Sequence, residues 1–252
     1  EQKGEAKPPL TFEELVNPME PPAGKEYDRH WTRRNYDQAR VHAAWQQLRE
    51  GDTEAYSDET LSRATLNDDY QQLFVTMLLD HVQHLLECIK EKRQPEPLRL
   101  LLLGTAGSGK TRAVQTALQE IQRVLSAAGL PFDVDPREFV RVAAPTGTAA
   151  FNLRFQATTV HRMIHWFTPP FFKTISDDKT LYELQKQLRN TQLIILDEVS
   201  MIGRQMMGRI DSRMEQAKGY QNLRGESLGG VSCVAVGDPA QCEAMHDQQL
   251  YN

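Results

Sequence analysis

The sequence predicts an α/β fold built on a parallel sheet, and three observations carry that reading. Apolar runs recur at 98–103 (LRLLLL), 139–145 (FVRVAAP), 191–198 (TQLIILDE) and 231–238 (VSCVAVGD), spaced widely enough for helical crossovers. Residues 104–111, GTAGSGKT, follow the first run directly and match the G-x-x-x-x-G-K-[ST] spacing. Each run also ends in a candidate functional residue, and ligands of open parallel sheets gather outside the carboxyl ends of their strands.

Taken in chain order, residues 1–26 are rich in Pro, Glu and Lys and read as a linker or mobile arm. Residues 30–51 form a helix candidate with Trp31, Val41, Trp45 and Leu48 as packing positions, so 1–65 is expected to be a partly disordered, partly helical N-terminal extension. A stronger helix is predicted from Asn67, a plausible N-cap, to Lys92. Its apolar positions Leu73, Phe74, Met77, Leu78, Val82, Leu85, Leu86 and Ile89 trace one face. After the glycine-rich loop, Ala113, Leu118, Ile121, Val124 and Leu125 recur near helical spacing until Gly129 and Pro131 stop the helix. The domain is expected to span 66–252.

Composition narrows the classes. Of the 252 residues, 25% are charged and 40% hydrophobic, as in a water-soluble globular chain. No apolar run approaches the roughly 18 residues of a membrane span, and no basic-then-apolar signal segment opens the chain. Cys88, Cys233 and Cys242 lack C-x-x-C pairing, so reduced thiols in an intracellular compartment are expected, nuclear, mitochondrial or cytoplasmic. His161 with His165, and Cys242 with His246, are too few donors for a structural zinc. Net charge is −5, but from Leu98 onward 17 Lys and Arg stand against 15 Asp and Glu. The acidity belongs to the N-terminal part, which leaves the core free to carry a local basic face.

The loop Gly104, Thr105, Ala106, Gly107, Ser108, Gly109, Lys110 and Thr111 sits between strand and helix, where inward N–H groups and the helix dipole favour phosphate. In such a loop Lys110 reaches the β- and γ-phosphates and Thr111 offers its hydroxyl to Mg²⁺. Asp197 and Glu198 emerge from the third run; a strand-end Asp holds Mg²⁺ through its water shell, and the adjacent carboxylate polarises a water toward the γ-phosphate. Gln241, in VAVGDPAQ beside Gly237 and Asp238, is a neutral bidentate group able to sense that phosphate. ATP and Mg²⁺ are therefore the expected cofactors.

Together GTAGSGKT, AAPTGTAAFNL, TTVHRMIHW, LIILDEVSM and VAVGDPAQ resemble the first RecA-like domain of superfamily-one helicases, and are most similar to the Pif family and its RecD-like and transposon-borne relatives. The resemblance covers about residues 66–241. It implies a RecA-like P-loop NTPase fold and an ATP-driven motor that moves 5′ to 3′ on single-stranded DNA and unwinds forked duplexes. It further implies that Pro145, Thr146, Gly147 and Thr148 touch the DNA backbone, followed by Thr159 and His161 of a T-x-H element. Trp166, Phe167, Phe171 and Phe172 are candidates for base stacking or for core packing. Where the family places an adenine-reading glutamine, this chain has Tyr70, with Gln71 beside it. The family's second RecA-like domain, which supplies arginine fingers, is expected downstream; without it, Mg-ATP binding with slow hydrolysis and no translocation is expected. Two other readings compete: another P-loop ATPase, and a nucleotide-gated DNA-binding or interaction module without turnover.

Overall fold

The computed structural model describes residues 61–66, 69–128, 136–166, 172–222, 224–242, 244 and 247–250. All of them lie in the unit Asp52–Asn252. The expected N-terminal arm, the helix at 30–51, Asn67, Phe167, Phe171 and His246 fall outside the described residues.

Helix α1 (Asp69–Lys90) leads to β1 (Arg99–Leu103), the glycine loop and α2 (Lys110–Ala128). A short α3 (Pro136–Phe139) precedes β2 (Val140–Ala144), α4 (Gly147–Leu153), β3 (Thr158–Thr159) and α5 (Val160–Met163). Helix α6 (Asp178–Leu188), β4 (Leu193–Leu196), α7 (Arg204–Lys218) and β5 (Ser232–Gly237) complete the described elements. The strands form one sheet in the order β1-β5-β4-β2-β3, parallel at every pairing. The four expected strands are present. The fifth, Thr158–Thr159, is only two residues long, too short for periodicity to reveal.

Central position explains the continuous apolar runs. In β4, Leu193 and Ile195 pack into one core with α1, α2 and α4, while Ile194 and Leu196 pack into a second core with α5, α6 and α7. All four are fully buried, and each such side chain contributes about 1.5–3 kcal/mol of transfer free energy. Both faces of the sheet are thus covered by helices, as a parallel sheet requires. β1 lies at one edge among the described strands, and Leu101 (50% exposed) and Leu103 (44%) alternate outward.

The α1 face is shifted from the predicted one. Phe74, Leu78, Val82, Leu85 and Leu86 are buried, but Leu73 and Met77 are exposed, and Val75 and Leu79 take their places in the core. A polar contact also joins this helix to the sheet: His81 Nε2 lies 2.7 Å from Ser232 Oγ at the start of β5, and the same hydroxyl accepts the Leu98 N–H. At the opposite face, the buried Lys218 donates to the carbonyls of Arg189 and Thr191, joining the end of α7 to the approach to β4. Burial lowers its pKa to about 8. No helix among the described residues is long and apolar enough to cross a membrane.

The His81 contact makes stability pH-dependent. Burial first, and then the neighbouring His84, lower the His81 pKa to about 4 from 6.5. The unfolded ring therefore takes up a proton at a pH where the folded ring does not, so stability is full above 6.5 and declines as pH falls toward about 4. In His81→Gln the drop in thermal midpoint across that window should be smaller than in the parent; equal slopes would remove His81 from the account.

Candidate functional site

The glycine loop joins β1 to α2, and its backbone shows why glycine is needed. Gly107 (φ 76°) and Gly109 (φ 80°) lie in the left-handed region. Gly109 is also closely approached: a Cβ there would come within 2.5 Å of Gln71 Nε2, which donates to the Ser108 carbonyl at 2.8 Å. Lys110 Nζ donates to the carbonyls of Gly104 (2.6 Å) and Thr105 (2.9 Å), which closes the loop and leaves its third N–H for an anion. Thr105, Ala106, Gly107, Ser108 and Thr111 are exposed at the mouth of the loop. Of the two candidates on α1, the structure brings the buried Gln71 to the loop, whereas Tyr70 is 81% exposed.

β4 and β5 supply the two acids and the turn that carries Gln241. Asp197 follows β4, is buried, and donates its backbone N–H to the Ala143 carbonyl of β2. Burial pushes its carboxyl up to about 6; the Glu198 charge adds to the rise, while the Glu198 N–H and the Lys110 charge oppose it. Lys110 and Asp197 therefore lie within electrostatic reach across the sheet. Glu198 is half-buried and adopts a left-handed backbone (φ 51°, ψ 45°) as it turns into the helical turn Val199–Met201. Non-glycine residues there are strained by about 1–3 kcal/mol, a cost met where packing fixes a functional group. A dry carboxylate at Asp197 and an exposed hydroxyl at Thr111 are hard oxygen donors that suit Mg²⁺. Among the described residues no group of three or more His, Cys, Asp or Glu could hold a metal ion by itself.

β5 ends between these two parts. The Gly237 carbonyl accepts the Gly104 N–H at 3.2 Å, and a Cβ on Gly237 would stand 2.8 Å from Val199 Cγ1 and 3.1 Å from the Val199 nitrogen. Beyond it the buried Asp238 closes a turn, its carboxylate accepting the Ala240 N–H and its carbonyl the Gln241 N–H. Gln241 is exposed on that turn.

β2 and β3 bring the remaining candidates to the same end of the sheet, with Ala144 and Thr159 in register. Thr146 caps α4 by accepting the Ala149 N–H (3.2 Å), and Thr159 caps α5 by accepting the Arg162 N–H (3.3 Å). Each hydroxyl keeps its own proton for an acceptor. Gly147 and Thr148 are exposed, and Pro145 and His161 are half-buried. Of the two aromatic readings, Trp166 takes core packing: it is 5% exposed, with the His161 ring stacked on it and Phe172 edge-on. His165 Nε2 bonds Gln187 Oε1.

Sequence reasoning missed two residues at this end. Arg209 on α7 lies over the Trp166 ring at 4.5 Å. The Asp247 carboxylate accepts the N–H groups of Gln205 and Met206 at the start of α7. Neither has a local signal, because each partner lies about forty residues away in sequence.

Residues 95–252 match the family model described as an AAA domain. No curated protein matches the chain. Among solved structures it is similar to one on DNA unwinding at forked duplex by two coordinating Pif1 helicases: 24% identity, TM-score 0.43, 65% of this chain and 34% of that one. It is also similar to Bacteroides Pif1 helicase with ADP-AlF3 and single-stranded DNA (24%, 0.41, 64% and 33%). Candida albicans Pif1 helicase gives 19%, 0.42, 65% and 33%. The chain spans about a third of the length of these structures.

The close approach at Gly237 yields a test. Gly237→Ala must push β5 away from the stiff, buried Val199 and should destabilise the chain by about 1–3 kcal/mol. Chemical denaturation reads the loss, and an unchanged midpoint would show that the two turns are not in contact.

Proposed function

We propose that this chain, which belongs to the AAA domain family, is the ATP-binding and ATP-hydrolysing half of a DNA helicase that tracks 5′ to 3′ along single-stranded DNA. The observation that carries the reading is the row of strand ends. The glycine loop after β1, the sensor turn after β5, the acids after β4 and the Thr-bearing caps after β2 and β3 all lie along one end of one parallel sheet. A phosphate site and a backbone-gripping surface are then neighbours on a single rigid element.

In this reading the loop's N–H groups and Lys110 hold the triphosphate, and Gln71 braces the loop from behind. Thr111 and Asp197 would hold Mg²⁺, which would supply positive charge to offset that of the triphosphate. The two adjacent acids divide the work by environment: Asp197 is dry and suits a cation, and the more accessible Glu198 suits a water molecule, from which it takes a proton as that water attacks the γ-phosphate. Gln241, whose backbone N–H is held by the carbonyl of the buried Asp238, reads whether the γ-phosphate is present. Along β2 and β3, the hydroxyls of Thr146, Thr148 and Thr159 and the His161 ring donate to backbone phosphates without reading sequence. A second RecA-like domain, as the resemblance implies, closes the cleft and brings the arginine that speeds phosphoryl transfer.

Two substitutions test the nucleotide half. Lys110→Ala removes a charged hydrogen bond to phosphate and should weaken binding of a fluorescent ATP analogue by roughly 10- to 100-fold; equal affinity in parent and variant would sink the phosphate-loop assignment. Glu198→Gln should keep nucleotide affinity within about twofold while lowering turnover by roughly 10²–10⁴, read by phosphate release. Parental turnover in that variant would move the base elsewhere. For the DNA half, anisotropy of a labelled oligo-dT should report binding that changes with Mg²⁺ and a non-hydrolysable ATP analogue. No binding in any nucleotide state would confine the function to the nucleotide.

A further inference from the structure

We propose that Trp166 and Arg209 are positioning residues for His161, and that through them α7 sets the imidazole that faces DNA; this rests on the DNA reading above. The His161 and Trp166 rings are stacked, with centroids 4.6 Å apart and an interplanar angle of 18°. Arg209 lies over the same indole with its Cζ 4.5 Å from the ring centroid, and Phe172 meets the indole edge-on at 5.8 Å. The Trp166 N–H donates to the His161 carbonyl at 2.8 Å, so backbone and rings fix the pair together. With Trp166 only 5% exposed, the half-buried His161 has its plane dictated by a side chain that solvent and DNA do not reach.

An aliphatic side chain would fill space beside the indole as well as Arg209 does. A guanidinium adds orientation, because it is drawn to the ring face, and adds a positive field. Burial, and then that field, lower the proton affinity of His161. A neutral ring keeps one N–H donor and one acceptor in fixed places, which suits a defined hydrogen bond to a phosphate.

Arg209 is also where the nucleotide side arrives. Helix α7 begins three residues after the Val199–Met201 turn that follows Asp197 and Glu198. From the sensor side, Asp247 accepts the N–H groups of Gln205 and Met206, the Gln248 carbonyl accepts that of Arg204, and the Arg209 charge acts on Asp247. The segments that follow β4 and β5 are thus both fastened to α7, and Arg209 carries that helix to the His161 stack.

The test is a double-mutant cycle on the full chain with two readouts. The first is the ring-current shift of the His161 carbon-bound protons, identified by their loss in His161→Ala. Arg209→Met, which keeps the bulk, should move that shift, and Trp166→Leu should abolish it while Trp166→Phe restores part of it. The second is affinity for labelled oligo-dT with Mg²⁺ and a non-hydrolysable ATP analogue. Arg209→Met should weaken it by roughly 2- to 30-fold in the parent and leave it unchanged in the His161→Ala background. Losses that multiply would mean that Arg209 touches DNA itself and would overturn the proposal, as would an unmoved His161 shift. If the parent binds no oligo-dT, the DNA reading fails, and the His161 shift alone decides the positioning claim.

Discussion

The contact on which the candidate site depends is the close approach at Gly237. Its carbonyl holds the first N–H of the glycine loop, and its bare Cα admits the turn that follows Asp197 and Glu198. The glycine loop, the acids and the Gln241 turn follow three strands that are separated in sequence. They are held in one place because β5 lies between β1 and β4 and ends in the one residue that lets both neighbours close in. Any side chain there must displace a β-branched residue that is itself fully packed.

Around that point the polar groups serve two purposes at once. Thr146 and Thr159 satisfy helix N-termini with their lone pairs and retain a proton to give. Lys110 closes its own loop with two donors and has a third. Asp238 shapes the turn that displays Gln241. Such economy suits a site whose ligand is a polyanion: the protein's donors are ordered before it arrives, so less conformational entropy is lost on binding. Asp197 is the opposite case. It is held dry beside a second acid, so its ionised form is costly until a cation shares the space.

The parts of this arrangement that the sequence reveals are those written in contiguous residues. The apolar runs predict the four long strands because each is buried on both faces or faces a core, and GTAGSGKT and LIILDE sit where strands stop. Registration across the sheet is not written locally, which is why β3 went unseen and why α1 presents Val75 and Leu79 inward where Leu73 and Met77 were expected. The same limit applies to Gln71 and Tyr70, adjacent residues that only the packing of α1 against the loop distinguishes. Trp166 was readable as an aromatic near the T-x-H element, but whether it stacks on bases or on protein depended on Arg209, more than forty residues later.

The strand order also fixes a sequence of events in synthesis. Among the described strands β1 pairs only with β5, and Leu98 meets Ser232 across 134 residues of chain. A growing polypeptide makes the glycine loop early, yet the described strand that pairs with β1 emerges more than a hundred residues later. Pairings across such separations form slowly, since the loop-closure entropy comes before the contacts that offset it. At the edge of the sheet, with Leu101 and Leu103 turned outward, the nascent β1 waits as an unpaired apolar segment. The glycine loop, made early, is therefore fixed in place only after β5 has been made.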